Sequence, residues 1–395
     1  MTGTTSGDAR ACAVVAFGAS SALGDGEAAL GVGEVGERAP VAIARDPELA
    51  LANLMRPFCA RVGGLDAAPD RATALLERAL ASCAAELDLA LPGWRSRRVG
   101  LAIGTSSGGM RSFEAAFAPD GSPEGSLAAT YLGPVIAASR PCDFEPVAFV
   151  LGACASGTLA IGLAREWLLA GACDLVLCGG FDAVSVFVAS GFEALRAVCT
   201  DGAPRPFRAG RDGLALGEGA AVLALVRGDD ASLAAGALAP HGVVAGFGTS
   251  CDAVHLTAPD RDGKGLARAA QQALADAGQP RIDLVSAHAT ATVFNDASEA
   301  HALAAVLGER LGEVPVHALK GGIGHTLGGA GALETLAALR AMKSIPRSAA
   351  SSKHCVSRST TSLVRSTGSS DTCPPASNPV AGWRSSPFTQ ARIAG

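Results

Sequence analysis

Two stretches of this 395-residue chain share one plan, and any fold must accommodate both. Residues 145–174, EPVAFVLGACASGTLAIGLAREWLLAGACD, open with a short apolar run at 147–151 bounded by Pro146 and Gly152. A run that short between breakers predicts a buried strand. Small residues follow from Gly152 to Gly157, and then a stretch rich in Ala and Leu, strong helix formers. Residues 314–343 repeat the plan: an apolar strand at 314–319, the Gly-rich turn KGGIGHTLGGAGAL, and an Ala/Leu helix to about Lys343. Such paired strand–turn–helix units predict an internally duplicated α/β fold.

The flanking pattern supports the duplication. Strands are predicted at 12–17, 99–103 and 174–179 and a pair of short strands around the GEG turn over 216–226, with an amphipathic helix over 71–89. From Gly242 the series restarts, with strands at 243–247 and 282–287 and helices at 265–277 and 297–307. This divides the chain into an N-terminal half, 1–235, and a C-terminal half, 236–345. Beyond that the pattern breaks: residues 347–395 hold twelve Ser, six Lys/Arg and one acid, Asp371, with no apolar period. Such composition predicts an aberrant or disordered Ser-rich tail over 346–395. The second half would then lack counterparts of the strands at 174–179 and 216–226, leaving apolar faces and strand edges uncovered.

Composition removes several function classes. Hydrophobic residues make up 49% and charged residues 17%, with a net charge of −5 and a single Tyr. No basic run interleaves with aromatics, which argues against a nucleic-acid partner. No apolar run reaches membrane-spanning length, and MTGTTSGDAR lacks the features of a secretory leader. The eleven cysteines form no CxxC pair and no metal-ligand spacing, which predicts reduced thiols, a cytoplasmic location and no metal site.

One cysteine stands apart. Cys154 lies where the first strand–turn–helix unit enters its helix. The first N–H groups of a helix lack internal partners and carry partial positive charge, so a thiolate there is stabilised and its pKa should fall below about 8.5. The competing reading is a buried structural thiol, the commoner fate of a free cysteine. Two histidines weigh on the choice. His288 ends the strand at 282–287, in HATATVFND, and His325 sits in the Gly-rich turn five residues after Lys320. Both lie at strand-to-loop junctions among small residues that let a substrate approach the backbone.

GACASG around Cys154, HATAT at 288–292 and KGGIGHTLGGAG at 320–331 resemble the active-site motifs of the β-ketoacyl-[acyl-carrier-protein] synthases, condensing enzymes of the thiolase-like superfamily. RPFRAGRDG at 205–213 and LGEG at 216–219 resemble supporting segments of that family, and the likeness spans roughly residues 11–345. The resemblance implies a duplicated thiolase-like αβαβα five-layer fold. It implies that Cys154 takes an acyl group from a carrier-protein phosphopantetheine thioester, with no other cofactor. His288 and His325 would bind the malonyl thioester carbonyl as CO₂ leaves, and the carbanion would attack the acyl-Cys154 thioester. Lys320 would pair with Glu334 and orient His325, and Thr290 and Thr292 would line the pantetheine tunnel. The partners implied are an acyl carrier protein and a second synthase chain, as homodimer or heterodimer. The alternatives are a non-catalytic, chain-length-factor-like partner subunit and a cysteine hydrolase using Cys154 with one His. No Gly-rich turn fits a dinucleotide site.

Three departures from the family pattern carry expectations. Ala289 and Ala291 stand where Gly or Ser is usual, so a methyl should crowd the tunnel wall. Arg208 stands where an acid is common. After residue 345 the family's Gly-Phe-Gly-Gly loop, a source of one oxyanion N–H, is missing, so poor activity or stability is expected.

Overall fold

The computed structural model describes residues 10–32, 40–68, 70–118, 121, 127–140, 142–255 and 257–344, and the strand backbone at 354–357 and 362–365. Along the main path of the large sheet, five strands come from the first half: β1 (Cys12–Ser21), β2 (Val99–Gly104), β3 (Val147–Val150), β4 (Leu175–Asp182) and β5 (Gly219–Arg227). Five belong to the second: β6 (Gly242–Phe247), β7 (Leu284–Ser286), β8 (Val316–His317), β9 (His354–Ser357) and β10 (Ser362–Arg365). They run side by side as β3-β2-β4-β5-β1 and then, in mirrored order, β6-β10-β9-β7-β8. Parallel and antiparallel pairings repeat too. β2 is parallel to β3 and β4, as β7 is to β8 and β9, while β5 and β10 run antiparallel to both their neighbours. The two sets join through the antiparallel pair β1–β6, with Cys12 opposite Val244.

Helices sandwich this sheet. α1 (Arg71–Ala90) begins at Asp70, whose carboxylate accepts the Thr73 N–H at 2.8 Å, a Ser/Thr/Asp-type cap. Its apolar stripe, Ala72, Leu75, Leu76, Ala79, Cys83 and Leu87, is buried on the outer face of the first half. Full burial contributes roughly 1.5–3 kcal/mol for each large aliphatic side chain. α2 (Ser156–Leu169) and α5 (Ala330–Ser344) pack against each other and against strands of both halves, forming the central layer. α3 (Lys264–Asp276) and α4 (Val293–Leu307) cover the far face of the second half through Leu274 and Leu303. The result is the duplicated five-layer αβαβα arrangement expected from the sequence. Arg165 of α2 bonds Asp276 of α3 at 2.9 Å, tying a central helix to an outer one of the opposite half.

Two expectations are corrected. Strand β3 is not buried: it is the sheet edge, with Val147, Phe149 and Leu151 42%, 36% and 57% exposed. A continuous apolar run cannot distinguish a covered strand from an edge awaiting a partner. The second correction concerns the tail, where no strands were expected. β9 pairs with β7 from Leu284 opposite Cys355 to Ser286 opposite Ser357, and β10 pairs with β6. These are the places that β4 and β5 fill in the first half. Ladder bonds are made by backbone, so open edges can recruit short segments such as HCVS and SLVR that lack an extended alternating pattern. The rest of the 346–395 tail lies outside the described residues.

Candidate active site

The site lies where the loops of both halves meet over the central helices. Cys154 occupies a short 3-10 turn, Ala153–Ala155, that runs directly into α2. Ala153 adopts φ 49°, left-handed for a residue with a side chain, so the chain turns sharply at the thiol. Ser156 secures that turn: its Oγ accepts the Gly152 N–H at 2.9 Å and lies 2.6 Å from the Ala153 carbonyl and 3.0 Å from that of Thr105.

His325 reaches the thiol from the other half. Its Nε2 lies 3.0 Å from Cys154 Sγ, and its Nδ1 accepts the Leu327 N–H at 3.2 Å. Its backbone is held across the seam, with His325 N–H donating to Ala215 and Gly217 N–H donating to His325, at 2.8 and 2.9 Å. The LGEG segment therefore clamps the histidine turn. His288 stands beside it, ring centroids 5.2 Å apart and planes near perpendicular. Lys320 Nζ, a donor only, lies 3.2 Å from His288 Nδ1 and also donates to Glu334 Oε1. Lys320 thus contacts His288, not His325; its field still reaches His325. The expectation that it orients His325 is corrected at the level of contact.

The donors fix the tautomers. With both Nδ1 atoms accepting, each neutral imidazole carries its proton on Nε2. Burial, then the Lys320 charge, holds His325 well below the usual imidazole range. Burial also pushes the Cys154 thiol up to about 11, with Lys320 pulling down and Asp182 pushing up. The expected lowering is overturned: the Cys154 residue is half-buried, but its thiol is surrounded deeply enough that desolvation outweighs the favourable charges.

One atom of each of Cys154, His288 and His325 falls within 4.8 Å of the others, close enough to suggest a metal site. The surrounding donors do not fit one. A metal-bound imidazole ordinarily donates its second N–H to an acceptor, whereas here both second nitrogens face donors. The pair is built to present N–H groups.

Thr290 is buried and Thr292 half-buried, their hydroxyls 3.0 Å apart. Ala289 and Ala291 are both fully buried. The departure from Gly shows in the backbone, at φ 47° and 63°. Arg208 is exposed. Carboxylates missed by sequence reasoning hold these loops. Glu299, 0% exposed, accepts the N–H groups of His288 and Ala289, both at 2.8 Å. Asp296 accepts from Phe207 and Ala291 at 2.7 and 3.1 Å, and burial raises its pKa to about 6. Glu218, also fully buried, binds Arg61 and Arg71. An acid on a helix or strand reads as solvated surface until the fold buries it.

Residues 70–231 match the family described as beta-ketoacyl synthase, N-terminal domain, and residues 241–349 match beta-ketoacyl synthase, C-terminal domain. The chain belongs to the β-ketoacyl synthase family. It is similar to 3-oxoacyl-[acyl-carrier-protein] synthase 2 of Staphylococcus aureus, 34% identical over 256 residues covering 60% of this chain and 62% of that relative. The chain thus spans less than two thirds of that relative's length. Among solved structures, a β-ketoacyl synthase from Burkholderia phymatum is 27% identical with a TM-score of 0.74, covering 90% of this chain and 98% of its own. The ishigamide ketosynthase/chain length factor is 25% identical, with a TM-score of 0.74 and coverages of 90% and 98%. Among the described residues no helix is long and apolar enough to cross a membrane.

Proposed function

We propose that this ketosynthase-family chain catalyses decarboxylative Claisen condensation between an acyl group on Cys154 and a malonyl thioester on a carrier protein. One observation carries the reading: Cys154 Sγ stands 3.0 Å from the Nε2 of an imidazole whose Nδ1 is already occupied by a donor, with a second imidazole of the same tautomer alongside. In the first step the Cys154 sulfur attacks the acyl thioester carbonyl and the pantetheine thiolate departs, taking the proton that the thiol loses. In the second, the malonyl C–C bond to the carboxylate breaks, CO₂ leaves, and the electron pair moves onto the thioester oxygen. The Nε2–H groups of His288 and His325 stabilise that enolate. Its carbon attacks the acyl-Cys154 carbonyl, the C–S bond to Cys154 breaks, and the released thiolate takes up a proton from solvent. Lys320 holds His288 Nδ1 and balances Glu334; Thr290 and Thr292 line the approach of the phosphopantetheine arm. The carrier's arm brings the substrate, and the chemistry asks for no resident metal or redox group.

A second chain would dock along β3, where an exposed edge with alternating Val147 and Phe149 offers both backbone groups and apolar surface. The likeness to a ketosynthase/chain length factor keeps a non-catalytic partner subunit as the second reading. Cys154 discriminates the two. Residues 358–361, Arg-Ser-Thr-Thr, connect β9 to β10 without a Gly-Phe-Gly-Gly sequence and lie outside the described residues.

Intact-mass measurement after incubation with an acyl-carrier thioester tests the assignment. A covalent acyl adduct mapping to Cys154, and 3-oxoacyl product on adding malonyl-carrier protein, are expected. A folded protein that stays unmodified overturns the catalytic reading and favours the partner subunit.

A further inference from the structure

Asp182 ends β4 and is fully buried, yet nothing in the chemistry above uses it. Its two oxygens collect five donors. Oδ1 accepts from Thr105 Oγ1 at 2.6 Å and from Ser107 N–H and Oγ at 2.9 and 2.6 Å. Oδ2 accepts from Ser106 N–H at 2.8 Å and Gly328 N–H at 2.6 Å. The first four donors belong to the GTSSGG loop after β2. The fifth comes from the other half of the molecule, in the turn just after His325.

That turn presents two consecutive N–H groups. Leu327 N–H points to His325 Nδ1, and Gly328 N–H points to Asp182. Leu327 sits at φ 51°, a conformation a leucine keeps only when its surroundings impose it. The same 105–107 loop also reaches the nucleophile, because the Thr105 carbonyl accepts from Ser156 Oγ in the first turn of α2. Backbones approach here too closely for side chains. A Cβ on Gly157 would lie 2.7 Å from the Gly328 carbonyl, and one on Gly328 would lie 2.6 Å from Ser106 N.

We infer that Asp182 is a positioning residue: it anchors the 327–328 turn, so that Leu327 N–H holds His325 with its Nε2–H directed at Cys154. The same carboxylate fixes the loop that braces the Cys154 turn. Thiol and imidazole come from different halves, and Asp182 is the group bonded to the supports of both. This role rests on the reading of Cys154 and His325 as the reacting pair, but its tautomer readout does not depend on turnover.

Protein labelled with ¹⁵N in the imidazole rings reports the tautomer directly. In the unmodified chain His325 should carry its proton on Nε2; a proton on Nδ1 overturns the inference without any variant. In Asp182→Asn the His325 signals should move toward a mixture of tautomers. kcat per acylated enzyme should fall by roughly 10²-fold, the cost of about 1 Å of misplacement, while KM for the malonyl thioester stays within about twofold. An unchanged tautomer in a folded Asp182→Asn protein, or a rise in KM at constant kcat, overturns it. Should that variant not fold, Gly328→Ala attacks the same link from the other side, wedging the turn off Ser106 with the carboxylate intact, and the same signature is required of it. A normal tautomer response in a chain that never condenses would retain the positioning role and remove the condensation reading instead.

Discussion

The two strand–turn–helix units, Val147–Leu169 and Val316–Ser344, occupy matching places in the mirrored halves but treat their polar residues oppositely. In the first, the turn is made of small residues and offers a thiol on a residue that is only half-buried. In the second, the longer turn carries Lys320 and His325, which are 3% and 1% exposed and bonded on every side named above. An acyl acceptor must be reachable by an incoming thioester. A hydrogen-bond donor to a developing enolate must instead be dry and immobile before the reaction begins. Under the proposed condensation one scaffold used twice would supply both, because the turn can be rebuilt without disturbing the strand and helix that carry it.

The contrast can be broken at its base. Ending the chain after residue 350 removes β9 and β10 and with them the strands that make the second half equivalent to the first. Cooperative thermal unfolding should be lost and the protein should aggregate on size-exclusion chromatography. A truncated chain that melts as the full one does would mean these strands add nothing.

It can then be sharpened at the two turns. Cys154→Ala should form no acyl-enzyme by mass, yet retain some malonyl decarboxylation, since the imidazole pair is intact. His325→Ala should do the reverse: acylation persists, and decarboxylation falls by roughly 10²–10³, the value of one lost donor. If both variants lose both activities equally, the division of labour is wrong.

Lys320→Met probes the locked turn alone. It leaves the Glu334 carboxylate buried without its cation, which should cost about 3–5 kcal/mol of stability in denaturant unfolding. A loss below about 1 kcal/mol would argue that the pair is neutral in the folded chain.

The mildest probe is pH. Only thiolate alkylates, and the Cys154 thiol is pushed up to about 11, so it stays protonated through the neutral range. Its rate with iodoacetamide should rise about tenfold per unit from about pH 7 to about pH 10 without levelling. His325, held well below the usual range, should add no inflection between about pH 6 and 8. A plateau near pH 8 would show that the helix N-terminus outweighs burial.

Much of this was legible before any coordinates. The short apolar runs and Ala/Leu helices marked the duplication, and three clusters of small residues marked Cys154, His288 and His325, because close approach of backbones leaves a trace in composition. Less legible were the tail strands, since ladder bonds are formed by backbone groups common to every residue. Asp182, Glu299 and Asp296 were equally hidden: each is one acid whose meaning depends on donors that only folding brings to it, as across the separation of 146 positions from Asp182 to Gly328.

The order of residues alone therefore settled the main elements up to residue 345 and marked which side chains are candidates to react, for these follow from local propensity and from the room small residues leave. Folding decided the protonation of those side chains and the partner each nitrogen meets. Burial and converging dipoles arise only when distant segments close around a group, and here they turned an expected low-pKa thiol into a high one and two ordinary histidines into a matched pair of N–H donors.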